Sequence, residues 1–210
     1  MDTTRDTVVD FWFDPVCPYS WTASRWLHEV GRGRQLTVRH HVLSLYLLNR
    51  DRTDVAPEYR RNVEASRGPA KVATAVLTRC GMEALADFYT AFGNRVFDVW
   101  RRPTSAEYHE VVGAALAEVG LPGDLEDAME SEEYDEAMQA SHDSGVDLVG
   151  RGDVGTPITS IGGVGFFGPV LNAIPRGEHA VQVFEGARLL AGYPQFFELK
   201  RTRQQPPVFT

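Results

Sequence analysis

The stretch Asp10-Phe-Trp-Phe-Asp-Pro-Val-Cys-Pro-Tyr-Ser-Trp21 decides how the rest of the 210-residue chain is read. Val8, Val9, Phe11, Trp12 and Phe13 form a short apolar run rich in β-branched and aromatic residues, the pattern of a buried strand. Asp14-Pro15 ends it. Pro18 suits the first position of a helix, where its missing N–H costs nothing. Cys17 is thereby predicted at a helix N-terminus, beside unpaired N–H groups and the positive end of the helix dipole. That setting favours thiolate over thiol, so Cys17 is expected to be an activated nucleophile rather than a buried apolar filler.

Outward from this point, Ser20 to Val30 is predicted helical, with Ala23, Trp26, Leu27 and Val30 on one face and Gly31 and Gly33 as the stop. Gln35 to Leu45 alternates as a strand, which completes a βαβ unit with parallel pairing. His40 and His41, being adjacent, point to opposite faces and do not make a metal site. From Pro57 strand signals vanish. Helices are expected over Glu58–Arg67, broken by Gly68-Pro69, then over Ala70–Arg79 and Glu83–Trp100. Another follows the capping box Thr104-x-x-Glu107 as far as Val119, with short helices near Leu125–Met129 and Glu132–Ser144.

Strand character returns at Gly155–Ile161 and Val164–Phe167 around a Gly-Gly turn, a hairpin pattern, with Pro157 at a strand start. Gly177–Ala191 is a last amphipathic helix, and Pro206-Pro207 marks a loose tail. The order βαβ, helices, ββα predicts an α/β chain in two parts. Residues 1–56 and 151–210 form one domain, and 57–150 form an inserted α-helical subdomain.

The bulk numbers narrow the function classes. A net charge of −8 offers no electrostatic footprint for nucleic acid or an anionic membrane surface. No apolar run reaches membrane-spanning length, and the polar first residues leave no room for a signal peptide's apolar core. Two cysteines, Cys17 and Cys80, make no disulfide framework, and a cytoplasmic location is expected. Gly163-x-Gly165-x-x-Gly168 matches the dinucleotide fingerprint as text. It lacks the following helix that would hold a pyrophosphate, so no nucleotide is expected. His/Cys metal spacing is absent as well, and no metal is expected.

Phe11-Trp-Phe-Asp-Pro-Val-Cys-Pro18, Val154-Gly-Thr-Pro157, Phe166-Phe-Gly-Pro169 and the closing Phe197-Glu-Leu-Lys-Arg-Thr-Arg203 together resemble the DsbA-like branch of the thioredoxin superfamily. Within it, the chain is most similar to the actinobacterial mycothiol-dependent nitroreductase and disulfide reductase group. The resemblance implies a thioredoxin-like core with a helical insertion. It makes Pro157 the family's cis-proline, with the backbone of Thr156 against the Cys17 sulfur. It also carries an asparagine and a tyrosine near the pocket onto Asn49 and Tyr59.

Two departures stand out. The dithiol members have Cys-Pro-Trp-Cys where this chain has Cys17-Pro18-Tyr19-Ser20, and a family histidine is replaced by Phe97. Pro-Tyr-Ser-Trp21 is also similar to the kappa-class glutathione transferases and chromene-carboxylate isomerases. A hydroxyl cannot resolve a mixed disulfide, so Ser20 removes ordinary dithiol exchange. Cys80, inside the helical stretch, reads as a helix-end hydrophobe.

Two enzyme chemistries remain. One is a monothiol oxidoreductase with a mycothiol-type low-molecular-weight thiol as co-substrate. Cys17 is its nucleophile, Ser20 stabilises the thiolate, and Thr156 orients the partner. The other is redox-neutral: Cys17 adds reversibly to a conjugated double bond of a polyene or enoyl substrate, free or carrier-bound, as an isomerase or a kappa-class-like thiol transferase. Pro18, Tyr19, Trp21, Phe97 and Trp100 are the expected pocket walls. A binding module that merely kept the fold is the third possibility.

Overall fold

In the computed structural model, which describes residues 7–98, 103–152 and 154–209, the chain forms one four-stranded sheet sheathed by helices. Strand β1 (Thr7–Phe13) leads into α1 (Pro18–Gly33) and β2 (Leu36–Val42). Helices α2 (Leu45–Asn49), α3 (Pro57–Phe97) and α4 (Ser105–Glu118) follow, then a 3₁₀ helix (Gly123–Met129) and α5 (Asp135–Val149). The chain returns to the sheet as β3 (Ile158–Ile161) and β4 (Val164–Phe167) and closes with α6 (Gly177–Ala191). The strand order is β2-β1-β3-β4, with β1 parallel to β2 and antiparallel to β3. This is the thioredoxin-like βαβ–ββα arrangement, with the helices of 57–150 between its halves.

The central position of β1 explains the apolar Phe11-Trp-Phe13 at its end, because both faces of the sheet are covered there. Val9, Phe11 and Phe13 belong to the main core with Trp26 and Val30 of α1, Phe184 of α6 and Phe88, Tyr89 and Phe92 of α3. Trp12 points the other way and packs with Leu43, Val146 and Ile158. Its indole lies over Gly145 of α5, where an added Cβ would stand 2.7 Å from the ring. The main core thus continues from the sheet into the helical stretch without a boundary. The exposed edge of β2 is closed by Ser141 of α5, whose hydroxyl donates to Val42 O and accepts from Val42 N–H.

The hairpin forms as its sequence predicts: Gly162 and Gly163 take φ of 62° and 89°, the left-handed values that a two-residue turn requires. Between β4 and α6 the chain from Gly168 to Arg176 forms no helix. His40 and His41 diverge as expected. His40 packs edge-on against Phe11 and Phe13, and His41 stacks on Trp12 and bonds Asp10.

Three expectations are corrected. The Gly68-Pro69 break does not occur, and α3 runs through it. Gly68 is there for close approach, since a Cβ would lie 2.6 Å from the Met129 methyl carbon, and the buried Pro69 ring is held by the surrounding core. The interruption falls at Gly81, whose φ of 89° and ψ of 179° kink the helix. The short helix α2 was not foreseen; Ser44 caps it by accepting from Leu47 N–H. Nor is the tail loose: Val208 N–H donates to Asn172 O at 2.7 Å, Asn172 donates back to Pro206 O, and Phe209 packs on Phe97. Among the described residues no helix is long and apolar enough to cross a membrane.

Candidate active site at the mouth of helix α1

Cys17 caps α1 with an extended backbone, and Pro18 occupies the first helical turn as its sequence predicts. The cap is held from both sides. Cys17 N–H donates to Asp14 O at 3.1 Å, and Trp21 N–H donates to Cys17 O at 3.0 Å. Across the gap stands the start of β3. Thr156 and Pro157 are joined by a cis peptide, and the Cys17 thiol donates to the Thr156 carbonyl oxygen at 3.5 Å.

The Ser20 hydroxyl, one turn along α1, is hydrogen-bonded to the Thr156 hydroxyl, which also accepts from Asp14 N–H at 3.3 Å. Cys17, Ser20, Thr156 and Pro157 are therefore brought together.

Asp14 is the residue that the sequence reading passed over as a mere strand breaker. Its carboxyl is fully buried. One oxygen accepts from Val16 N–H at 2.9 Å and the other from Leu45 N–H at 2.7 Å, so it ties the Cys17 turn to the start of α2. His142 supports the same loop by accepting from Ser44 N–H. Burial pushes the Asp14 carboxyl up to about 7, against the two N–H donors that favour its anion. The available signal was an aspartate between a buried strand and a turn, where its side chain can bond backbone two residues on.

The same burial reverses the expectation for the nucleophile. Cys17 is only 5% exposed, and loss of solvent raises its thiol above the ordinary value. The Ser20 N–H and hydroxyl and Thr156 pull it down, while the Asp14 carboxylate pushes it further up. Desolvation outweighs the helix terminus here because the sulfur is enclosed on all sides.

A small cavity of about 60 Å³ is walled by Val16 and Pro18, which flank Cys17 in sequence, with Leu45, Tyr59, Val63 and Tyr108; the buried Cys17 itself does not line it. Pro18 and Tyr59 are thus among its walls. Asn49 is not; its amide donates to Leu45 O within α2, so it braces the wall from behind. Tyr19 is covered by Arg203, whose guanidinium carbon lies 5.1 Å from the ring centre. Trp21 and Phe97, expected as pocket walls, stack on each other at 5.4 Å inside the core. A glycine at position 93 makes room for Trp21, and Tyr89 meets the indole edge-on. Trp100 lies outside the described residues. Cys80 is part-buried beside the Gly81 kink, and both cysteines are free. The described residues contain no group of three His, Cys, Asp or Glu side chains placed to hold a metal.

Residues 16–201 match the model of a protein family described as Rv2466c-like, mycothiol-dependent nitroreductase Rv2466c. The uncharacterized protein Rv2286c of Mycobacterium tuberculosis is 27% identical over 203 residues, 96% of this chain and 85% of that protein. Among solved structures, a 2-hydroxychromene-2-carboxylate isomerase superposes with a TM-score of 0.55 at 14% identity, covering 86% of this chain and 93% of its own. A probable DsbA oxidoreductase from Streptomyces coelicolor gives 0.54 at 15% identity, covering 93% and 94%. These two structures share the fold with this chain. The family match spans the Cys17 turn, the helical stretch and the Thr156-Pro157 strand, and the chain belongs to the Rv2466c-like family of DsbA-like, thioredoxin-fold proteins.

Proposed function

We propose that the protein is a cytoplasmic monothiol oxidoreductase, linked to mycothiol or a thiol of that class, with Cys17 as its only catalytic thiol. The observation that carries this reading is the pairing of the Cys17 sulfur with the Thr156 carbonyl, while a hydroxyl, Ser20, fills the resolving position. Family membership supports thiol-dependent redox chemistry.

In the proposed cycle Cys17 loses its proton and attacks one sulfur of a disulfide. A Cys17–substrate disulfide forms, and the other half leaves as a thiolate that takes up the proton. Ser20 cannot displace the bound half. Cys17 is regenerated when the co-substrate thiol takes over that half as a mixed disulfide, so one thiol is oxidised for each thiol released. The residues suit such a partner. The Thr156 carbonyl lies 3.5 Å from the sulfur, and Val16 and Pro18, on either side of Cys17 in sequence, line a small cavity.

A second reading rests on the burial of Cys17. A buried thiol also suits reversible addition to a conjugated double bond, as in an isomerase or a kappa-class-like transferase. There Cys17 forms and then breaks a carbon–sulfur bond with no net redox change. The fold shared with the chromene-carboxylate isomerase is compatible with it.

Turnover of a low-molecular-weight disulfide with mycothiol as reductant separates the readings. Wild type and Cys80→Ala should turn over alike, and Cys17→Ser should lose at least a hundredfold. Full activity in Cys17→Ser would remove both mechanisms. Mycothiol-independent isomerisation of a conjugated acyl substrate, lost in Cys17→Ser, would establish the second.

A further inference from the structure

Helix α1 carries Trp21, Arg25, His28 and Arg32 along one side, and this side borders a second cavity of about 230 Å³. The end of α3, the segment at Ile174–Arg176 and Phe209 complete its walls. Arg25 is the anomaly. Its guanidinium is largely removed from solvent, yet its partners are all neutral. Nη2 donates to the Thr90 hydroxyl at 3.1 Å, Nε donates to the Ser24 hydroxyl at 3.3 Å, and the group lies 4.3 Å over the Trp21 ring. Among the described residues no carboxylate lies within ion-pair distance of it.

The acids at this cavity do not compensate it. Glu29 is committed to Arg32 and Arg176, at 3.0 Å each, and Asp98 stands exposed at the end of α3. The positive field is felt nearby: His40 is pushed down to about 4, by burial first and Arg25 next. Tyr89, in the same neighbourhood, has a buried hydroxyl directed toward Ser24 without a hydrogen bond of good geometry.

A buried charge without a counter-ion is costly, and native proteins seldom keep one without a use. We propose that this cavity binds the oxyanion group of a small molecule, a carboxylate or phosphate, with Arg25 as principal partner and Arg32 and Arg176 at the mouth. The ligand would sit against the Arg25 guanidinium where it covers Trp21, one helical turn from Cys17. Its binding is independent of the thiol chemistry proposed above.

The test is titration of the full chain with sodium phosphate, and in parallel with sodium acetate, at ionic strength held constant by sodium chloride. Melting temperature and tryptophan fluorescence are the readouts. At least one anion should give a saturable change, and which of them does so tells phosphate from carboxylate. Arg25→Gln should weaken binding at least tenfold, while Arg79→Gln, at a distant surface ion pair, should leave it unchanged. If Arg25→Gln fails to fold, the exposed-mouth pair Arg32→Gln and Arg176→Gln should still weaken binding several-fold. A non-saturating response to both anions, or saturable binding undiminished in these variants, would overturn the proposal.

Discussion

The Cys17 sulfur stands 3.5 Å from the carbonyl oxygen of Thr156, and the Thr156 hydroxyl is bonded to Ser20. One residue just before β3 thus engages both ends of the Cys17–Ser20 turn. The thiol meets a backbone acceptor, and the Ser20 hydroxyl is held in a hydroxyl pair.

Because burial outweighs the helix terminus, the rate at which iodoacetamide alkylates Cys17 should still be rising with pH at the ordinary thiol value of about 8.5. Ser20→Ala removes a hydroxyl that favours the thiolate and should move the midpoint further up. Asp14→Asn removes an opposing negative charge and should move it down. A wild-type midpoint below 8 would contradict the burial argument.

Asp14 makes a separate prediction about stability. Its folded value of about 7 lies above the ordinary 3.8, so the folded chain holds the proton more tightly than the unfolded one. The resulting stability is fully present below pH 4 and is lost as pH rises through 7. Its full extent is on the order of 4 kcal/mol. Other carboxyls act in the opposite sense, so the informative quantity is the difference between wild type and Asp14→Asn in urea melts from pH 4 to 8. That difference should shift against wild type as pH rises; a flat difference would mean that Asp14 titrates normally.

Gly93 gives a packing prediction. A Cβ there would lie 2.1 Å from the Trp21 ring, which is itself clamped by Phe97 and Tyr89. Gly93→Ala should therefore destabilise the chain by about 1–3 kcal/mol in chemical denaturation. Gly31→Ala, with open space around it, should cost nothing and serves as the control.

The parts of the fold that local chemistry dictates were readable in the sequence. The apolar run before Asp14, Pro18 at a helix start, the Thr104–Glu107 capping box and the Gly162-Gly163 hairpin all form as their residues require. What needs a distant partner was not. Gly68-Pro69 looks like a break until Met129 is placed over it. That Trp21 and Phe97 stack on each other, and that the Asn49 amide turns to Leu45, needs the folded partners in place. The raised Cys17 value is of the same kind. The helix terminus is local, but the burial that overrides it exists only once the distant parts of the chain have packed around residue 17.

The central claim is that Cys17 alone carries the chemistry, through a disulfide that only an external thiol resolves. Intact-protein and peptide mass spectrometry after incubation with oxidised mycothiol tests this most directly. The account predicts one mycothiol adduct per chain, on Cys17, removed by dithiothreitol and lost in Cys17→Ser, with Cys80 unmodified. An adduct confined to Cys80, or an internal Cys17–Cys80 disulfide formed in place of the mixed one, would contradict it.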